Sequence, residues 1–230
     1  TRMKLFVIEG VDGSGKSTQL TLLKDYLTGK GYSCEYLHFP RTEAPYFGEL
    51  IARFLRGEFG SLNEVDPYLV ALLYAGDRKD AARTIRNWLD NKKIVLLDRY
   101  TYSNIAYQCA KLENQDARDK LMRWIISLEF SHFAIPQPDL NFFLDVPFTF
   151  TEKKLLSARS GNDRNYLNGS RDIHEESLNF QKKVREVYLA IAKTDDRMIV
   201  VNCAAGPDTM QPPHIISGLI LEALSERNLI

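Results

Sequence analysis

The chain has 230 residues, 44% of them apolar, an ordinary globular composition that suffices for one α/β domain with a sizeable core. Thirty basic residues cancel thirty acidic ones, so the charge balance does not suit binding along a nucleic acid backbone. Cys34, Cys109 and Cys203 are odd in number, dispersed and without metal-ligand spacing, no apolar run approaches a membrane span, and no secretory leader precedes the first strand, so a cytoplasmic protein with reduced thiols is expected.

The chain opens on Leu5-Phe6-Val7-Ile8, a short apolar run that reads as a buried parallel strand. Glu9 leads from it into Gly10-Val11-Asp12-Gly13-Ser14-Gly15-Lys16-Ser17, followed by Thr18, which fills G-x-x-x-x-G-K-[ST] at every fixed position. The physical sense is direct. Gly10, Gly13 and Gly15 let the backbone turn tightly and bring N–H groups to an anion, Lys16 adds charge for the outer phosphates, and the Ser17 hydroxyl can ligate Mg²⁺. Residues 19–27 look helical, so bound phosphates would sit on a helix N-terminus. Strand, glycine turn and helix are the flanks the motif requires, which sets it apart from a chance glycine-rich turn.

Residues 33–38 read as a second strand, stopped by Phe39-Pro40-Arg41. Arg41 therefore stands at a strand's carboxyl end, where ligands of open parallel sheets bind, although a loop arginine taken alone is ordinary surface. Residues 47–55 fit a short amphipathic helix. Asp66-Pro67 reads as an N-cap followed by proline at the first position of a long helix reaching about Asp90. Tyr74 and Arg78 share one face of it, where a ring can stack on a ligand and a guanidinium can bond its edge. Spacing alone favours a core tyrosine beside a surface arginine.

Ile94-Val95-Leu96-Leu97-Asp98 is the next buried strand, and it delivers Asp98 in the Walker B manner beside a Mg²⁺ held by the phosphate loop. Arg99 follows at once, placed either as a structural ion pair or as a phosphate clamp; nearness to the nucleotide favours the clamp. Residues 100–112 continue as a helix carrying Ser103 and Tyr107 on one face, with Gln108 beside them. A helix over 115–133, broken by Pro136 and Pro138, precedes a strand over 140–145, and residues 149–159 are helical again. Residues 160–171, with Arg164, Arg171 and almost nothing apolar, read as a mobile basic lid over phosphates, or as a plain surface loop if the phosphate loop is ignored. A long amphipathic helix over 172–193, a fifth strand over 198–202 and a last helix over 212–224 complete the chain.

Five apolar strands alternating with helices predict a single α/β domain over residues 1–230, a five-stranded parallel sheet of the P-loop NTPase fold flanked by helices on both faces. The N-K-x-D guanine-reading motif is absent, as is any helicase series. Arg41, Arg78, Arg99, Arg159, Arg164 and Arg171 fall in loops or near strand carboxyl ends, which suits a protein that holds several phosphates at once. A nucleoside monophosphate kinase must do so, because it brings an anionic acceptor against a γ-phosphate. The acceptor oxygen is already deprotonated, so positioning and charge neutralisation replace a general base.

From the first strand to the last helix the chain resembles the thymidylate kinase family. Glu9-Gly10-Val11-Asp12, Phe39-Pro40 with Arg41, Leu73-Tyr74-Ala75 with Asp77-Arg78, and Asp98-Arg99-Tyr100 with Ser103, Ala106 and Tyr107-Gln108 are similar to that family's motifs, the last group being the most specific. The resemblance implies ATP + dTMP → ADP + dTDP with Mg²⁺ in a homodimer. It also implies that Lys16 and Ser17 hold donor phosphates and metal, that Asp98 is the Walker B carboxylate, and that Arg99 and Arg41 hold the acceptor phosphate. Tyr74 would stack on thymine and Arg78 would bond its edge, with Phe39, Pro40 and Gln108 completing the pocket. Asp12 would approach the sugar hydroxyl or orient an arginine, Tyr107 and Ser103 would exclude a ribose, and Arg159 would flank adenine. Some members carry an arginine in the phosphate loop where this chain has Gly13; in the others a lid arginine neutralises the transition state, the role expected of Arg164 or Arg171. Two other readings compete: a kinase for another nucleotide or for a nucleoside, in which Glu43 would be the base, and a nucleotide-binding regulator without turnover.

Overall fold

The computed structural model describes residues 4–150 and 178–230. Its sheet has five parallel strands: β1 (Lys4–Glu9), β2 (Cys34–His38), β3 (Ile94–Asp98), β4 (Leu140–Asp145) and β5 (Met198–Asn202), in the order β2-β3-β1-β4-β5. β1, at the centre, and its neighbour β3 are apolar runs buried along almost their whole length, as strands covered on both faces must be. Their side chains divide by the period of two. Leu5, Val7, Val95 and Leu97 point to one core with Ala81, Ala82, Ile85 and Leu89; Phe6, Ile8, Ile94 and Leu96 point to the other with Leu20, Leu23 and Leu27. Each fully buried Val, Leu, Ile or Phe among them contributes about 1.5–3 kcal/mol by its removal from water.

The helices are α1 (Lys16–Gly29), α2 (Phe47–Leu55), α3 (Pro67–Asp90), α4 (Thr101–Cys109), α5 (Gln115–Ile126), α6 (Leu178–Ala192) and α7 (Pro213–Glu226). The Asp66 side chain accepts from the Tyr68 N–H at 2.8 Å, the cap expected from Asp66-Pro67. Gly76 lets α2 lie against α3, since a Cβ there would stand 2.3 Å from the Phe47 ring.

All five strands and the order of elements agree with the sequence reading, and the differences are local. α1 begins at Lys16, because the glycine turn feeds straight into the helix. α4 ends at Cys109 rather than 112. The helix expected over 115–133 is α-helical only to Ile126 and becomes a π-helical turn over Ser127–His132. The last helix runs on to Glu226. The expected lid (160–171), residues 151–159 of the helix expected over 149–159, and residues 172–177 lie outside the described residues, and Arg159, Arg164 and Arg171 with them. Among the described residues no helix is long and apolar enough to cross a membrane.

The parallel register brings all five strands to one edge with their carboxyl ends. Ile8 and His38 both stand in register with Asp98, so Glu9, His38 and Asp98 line the rim where the phosphate loop leaves β1. That rim is the ligand edge of an open parallel sheet.

Candidate active site

The loop between β1 and α1 has Gly13 at φ 75° and Gly15 at φ 90°, a left-handed backbone that glycine adopts without a Cβ penalty. Gly15 caps α1 without any side-chain hydrogen bond, and no acidic residue lies in the helix's first turn, so its leading N–H groups are open to an anion. The Lys16 ammonium is buried and donates to the Val11 carbonyl at 3.2 Å. Burial above all, with Arg99 nearby, lowers it to about 8 against the pull of Asp98, Asp12 and Glu9. Ser14 Oγ is buried without a partner. Ser17 and Thr18 follow on the exposed side of the first turn.

Asp98 ends β3 nearly buried, with Oδ2 3.4 Å from His38 Nδ1. Burial would raise its carboxyl, but the His38 hydrogen bond and the charges of Lys16 and Arg99 outweigh it, and the net direction is down. Its Oδ1 has no hydrogen-bond partner. A buried, ionised carboxylate with an open oxygen, next to a loop that presents a serine hydroxyl, is a donor set suited to a hard divalent cation.

The part of the rim expected to take the acceptor is built around Arg99, a non-glycine residue at φ 64° whose guanidinium reaches back to Asp12 of the phosphate loop. Nη2 reaches Asp12 Oδ1 at 2.7 Å and the Tyr107 hydroxyl at 3.2 Å, Nη1 reaches Ser103 Oγ at 3.3 Å, and the guanidinium lies 5.1 Å from the Tyr107 ring centroid. Tyr107 in turn donates to Asp12 Oδ2 at 2.8 Å. Of the two roles expected for Asp12, this geometry supports orienting an arginine. Arg41 is held by Asp77, whose carboxylate accepts from its backbone N–H and its Nε, both at 2.8 Å, while Nη2 donates to the Asp77 carbonyl. Phe39 is buried, tilted on the Tyr100 ring at 5.7 Å, and its bond to Pro40 is cis. Gln108 is buried with Oε1 unpartnered.

The pair Tyr74 and Arg78 reverses what spacing favours. Tyr74 is half-buried, while Arg78 is 1% exposed. The cause is Glu129, 0% exposed on the π-helical turn, which grips Arg78 Nε and Nη2 at 2.6 Å each. The Glu129 charge outweighs the cost of burying the guanidinium, whose pKa moves up. Nη1 is the one nitrogen of that fork not committed to Glu129.

Several residues of this site carry no signal in a linear reading. Glu9 is fully buried and gathers the Tyr100 N–H at 3.0 Å, the Tyr188 hydroxyl at 3.0 Å and the Ser103 hydroxyl, tying α4 and α6 to the end of β1. Burial is the largest influence on Glu9 and raises it. Asn104 donates through Nδ2 to the Ala71 carbonyl and to Glu129 Oε1, both at 3.0 Å, and its Oδ1 is buried without a partner. The only hint of Glu129 is a carboxylate set between Leu128 and Phe130.

The chain is similar to known proteins over most of its length. A thymidylate kinase family model matches residues 8–211. Thymidylate kinase of Mycobacterium tuberculosis is 33% identical over 220 residues, covering 93% of this chain and all of the relative. A probable thymidylate kinase of Thermococcus onnurineus is 37% identical over 204 residues, 86% of this chain and 89% of the relative. Among solved structures, thymidylate kinase from Candida albicans superposes with a TM-score of 0.73 at 25% identity, covering 99% of this chain and 93% of that one. A family match over most of the chain, on top of a complete phosphate loop and an arginine-lined rim, leads to one assignment: this chain belongs to the thymidylate kinase family.

Proposed function

We propose that the chain transfers the γ-phosphoryl group of ATP to dTMP, giving ADP and dTDP, with the residues of the rim in the following roles. The observation that carries the reading is the Arg99–Asp12–Tyr107 cluster standing over the phosphate loop, a fixed cation at the place where two anions must meet. Main-chain N–H groups of residues 13–18 and Lys16 hold the donor phosphates. Arg99 and Arg41 hold the acceptor phosphate. Tyr74 stacks on the pyrimidine, and Arg78 Nη1 and the open Asn104 Oδ1 face its edge, with Phe39, Pro40 and Gln108 behind. Tyr107 and Ser103 line the deoxyribose.

The attacking oxygen belongs to a phosphate and carries no proton to remove, so the protein's work is to hold two anions in line and to neutralise them. Lys16, Arg41 and Arg99 would supply the positive charge. Asp98 and Ser17 would hold Mg²⁺, which would offset the negative charge of the donor phosphates. Arg164 or Arg171 would supply further positive charge, and Arg159 would flank the adenine. The resemblance supports a homodimer, the even charge balance a protein without a nucleic acid partner, and the dispersed cysteines a cytoplasmic one.

A nucleoside kinase would need a carboxylate at its acceptor hydroxyl. Glu43 is exposed, and the Asp12 carboxylate is engaged by Arg99 and Tyr107. Family membership gives no support to that alternative or to a regulator without turnover. An ADP-release assay over dTMP, dUMP, dCMP, dGMP and thymidine tests the reading. Turnover is expected to be fastest with dTMP. Phosphorylation of thymidine in preference to dTMP, or no turnover with any monophosphate, overturns it.

A further inference from the structure

We infer that Glu129 is a positioning residue that decides which pyrimidine the acceptor site takes: by fixing Arg78 and Asn104 it sets a donor beside an acceptor in the order that fits a 4-keto, N3–H pyrimidine and opposes a 4-amino one. The inference rests on the reading that Arg78 and Asn104 face the base.

A carboxylate only accepts, and Glu129 is saturated. Its Oε2 takes Arg78 Nε at 2.6 Å and the Thr101 hydroxyl at 2.9 Å; its Oε1 takes Arg78 Nη2 at 2.6 Å and Asn104 Nδ2 at 3.0 Å. The second hydrogen of Asn104 Nδ2 goes to the Ala71 carbonyl, which also only accepts. The amide orientation therefore follows from chemistry. A flipped Asn104 would aim its oxygen at a carboxylate and a carbonyl together and would lose both bonds.

With the nitrogen facing inward, Asn104 Oδ1 faces the other way. It is left without a partner on a residue only 2% exposed. Buried polar atoms are paired in the great majority of cases, so an open acceptor beside a saturated carboxylate marks a place for a ligand donor. Arg78 Nη1 is the complementary donor left by the same fork.

Thymine and uracil present N3–H as donor and O4 as acceptor, which match Asn104 Oδ1 and Arg78 Nη1. Cytosine presents N3 as acceptor and its 4-amino group as donor, so each pairing becomes donor to donor or acceptor to acceptor. Sites built to bond a polar group discriminate strongly against the analogue that lacks it. The π-helical turn over Ser127–His132 is the local irregularity that carries Glu129, and such turns concentrate where function needs a side chain re-aimed. A fully buried ion pair is weak evidence of stability, and specification of geometry is the better account of one that also orients an amide.

The test compares steady-state kinetics of the wild type and Glu129→Gln with dTMP, dUMP and dCMP at saturating ATP. Glu129→Gln is expected to lower kcat/KM for dTMP and dUMP by about 10–100-fold, mostly through KM, to leave KM for ATP unchanged, and to collapse the dTMP:dCMP ratio by about tenfold or more. An unchanged ratio in a folded Glu129→Gln enzyme overturns the inference, since a purely structural role would lower both pyrimidines together. Where that variant does not fold, Thr101→Val decides, because it removes one bond to Glu129 while leaving the ion pair. A ratio lowered by about 2–5-fold supports the inference, and an unchanged ratio overturns it. A wild-type enzyme that turns over dCMP as readily as dTMP would instead undo the functional reading beneath it.

Discussion

The two ends of the rim are finished to different degrees. At the proposed acceptor end each arginine has a carboxylate partner: Arg41 with Asp77, Arg78 with Glu129, Arg99 with Asp12. At the donor end Lys16 rests on a carbonyl, and Ser14 Oγ and Asp98 Oδ1 have no partner. In the proposed roles these internal carboxylates fix the arginines of the acceptor pocket, and preorganisation of this kind lowers the ordering cost of binding. The donor loop is completed by the polyphosphate and its cation.

Lys16→Ala should break the donor end alone. Its turnover is expected to fall by about 10³-fold or more, roughly 4 kcal/mol of transition-state stabilisation, while dTMP binding measured by calorimetry stays close to wild type. A matching loss of dTMP affinity would mean that the two ends are not separately built.

Asp77→Asn sharpens the comparison from the other side. Asp77 does not touch the acceptor phosphate in this account; it fixes the backbone and guanidinium of Arg41, which does. The variant is expected to weaken dTMP binding by about tenfold and to leave thymidine, which has no phosphate, within about twofold. Equal loss for both ligands would show that Asp77 supports the pocket as a whole.

Lys111 offers a smaller test away from both ends. Its Nζ is covered, 4.8 Å from the Phe54 ring centroid and without a hydrogen-bond partner. Burial holds it down to about 7 from 10.5, with Asp66 opposing. The sign follows from proton binding. Between about pH 7 and 10.5 the unfolded chain holds a proton that the folded chain has released, so wild-type stability rises with pH across that window. Lys111→Met is expected to add about 1–3 kcal/mol at pH 7 and progressively less toward pH 10.5, read as the difference in thermal midpoints at the two pH values. A gain that does not shrink with pH would assign the effect to packing rather than charge.

What could be read from the sequence was local. The phosphate loop, Asp98 and the five strands each announce themselves within ten residues, through glycine spacing or an apolar run ended by a carboxylate. Arg99, Ser103 and Tyr107 were legible as one helix face plus the residue before it. The strand order was not, because nothing local says which strand lies beside which. Nor was the inversion of Tyr74 and Arg78. A buried arginine needs a carboxylate, and its partner is 51 positions away on a turn whose π geometry no periodicity signals. Glu9 is separated from Tyr188 by 179 positions, and sequence reading sees it as the start of a motif without seeing what its carboxylate holds. Polar networks that span the fold leave no pattern along the chain; they appear only when the elements are brought together.

The central claim, that the acceptor half is preformed and the donor half is not, is tested most directly by calorimetric titration of dTMP into enzyme free of ATP and divalent cations. Binding with a Kd within about twofold of that measured with a non-hydrolysable ATP analogue and Mg²⁺ is the expected result. Binding of dTMP that emerges only after donor and cation are present would contradict the account.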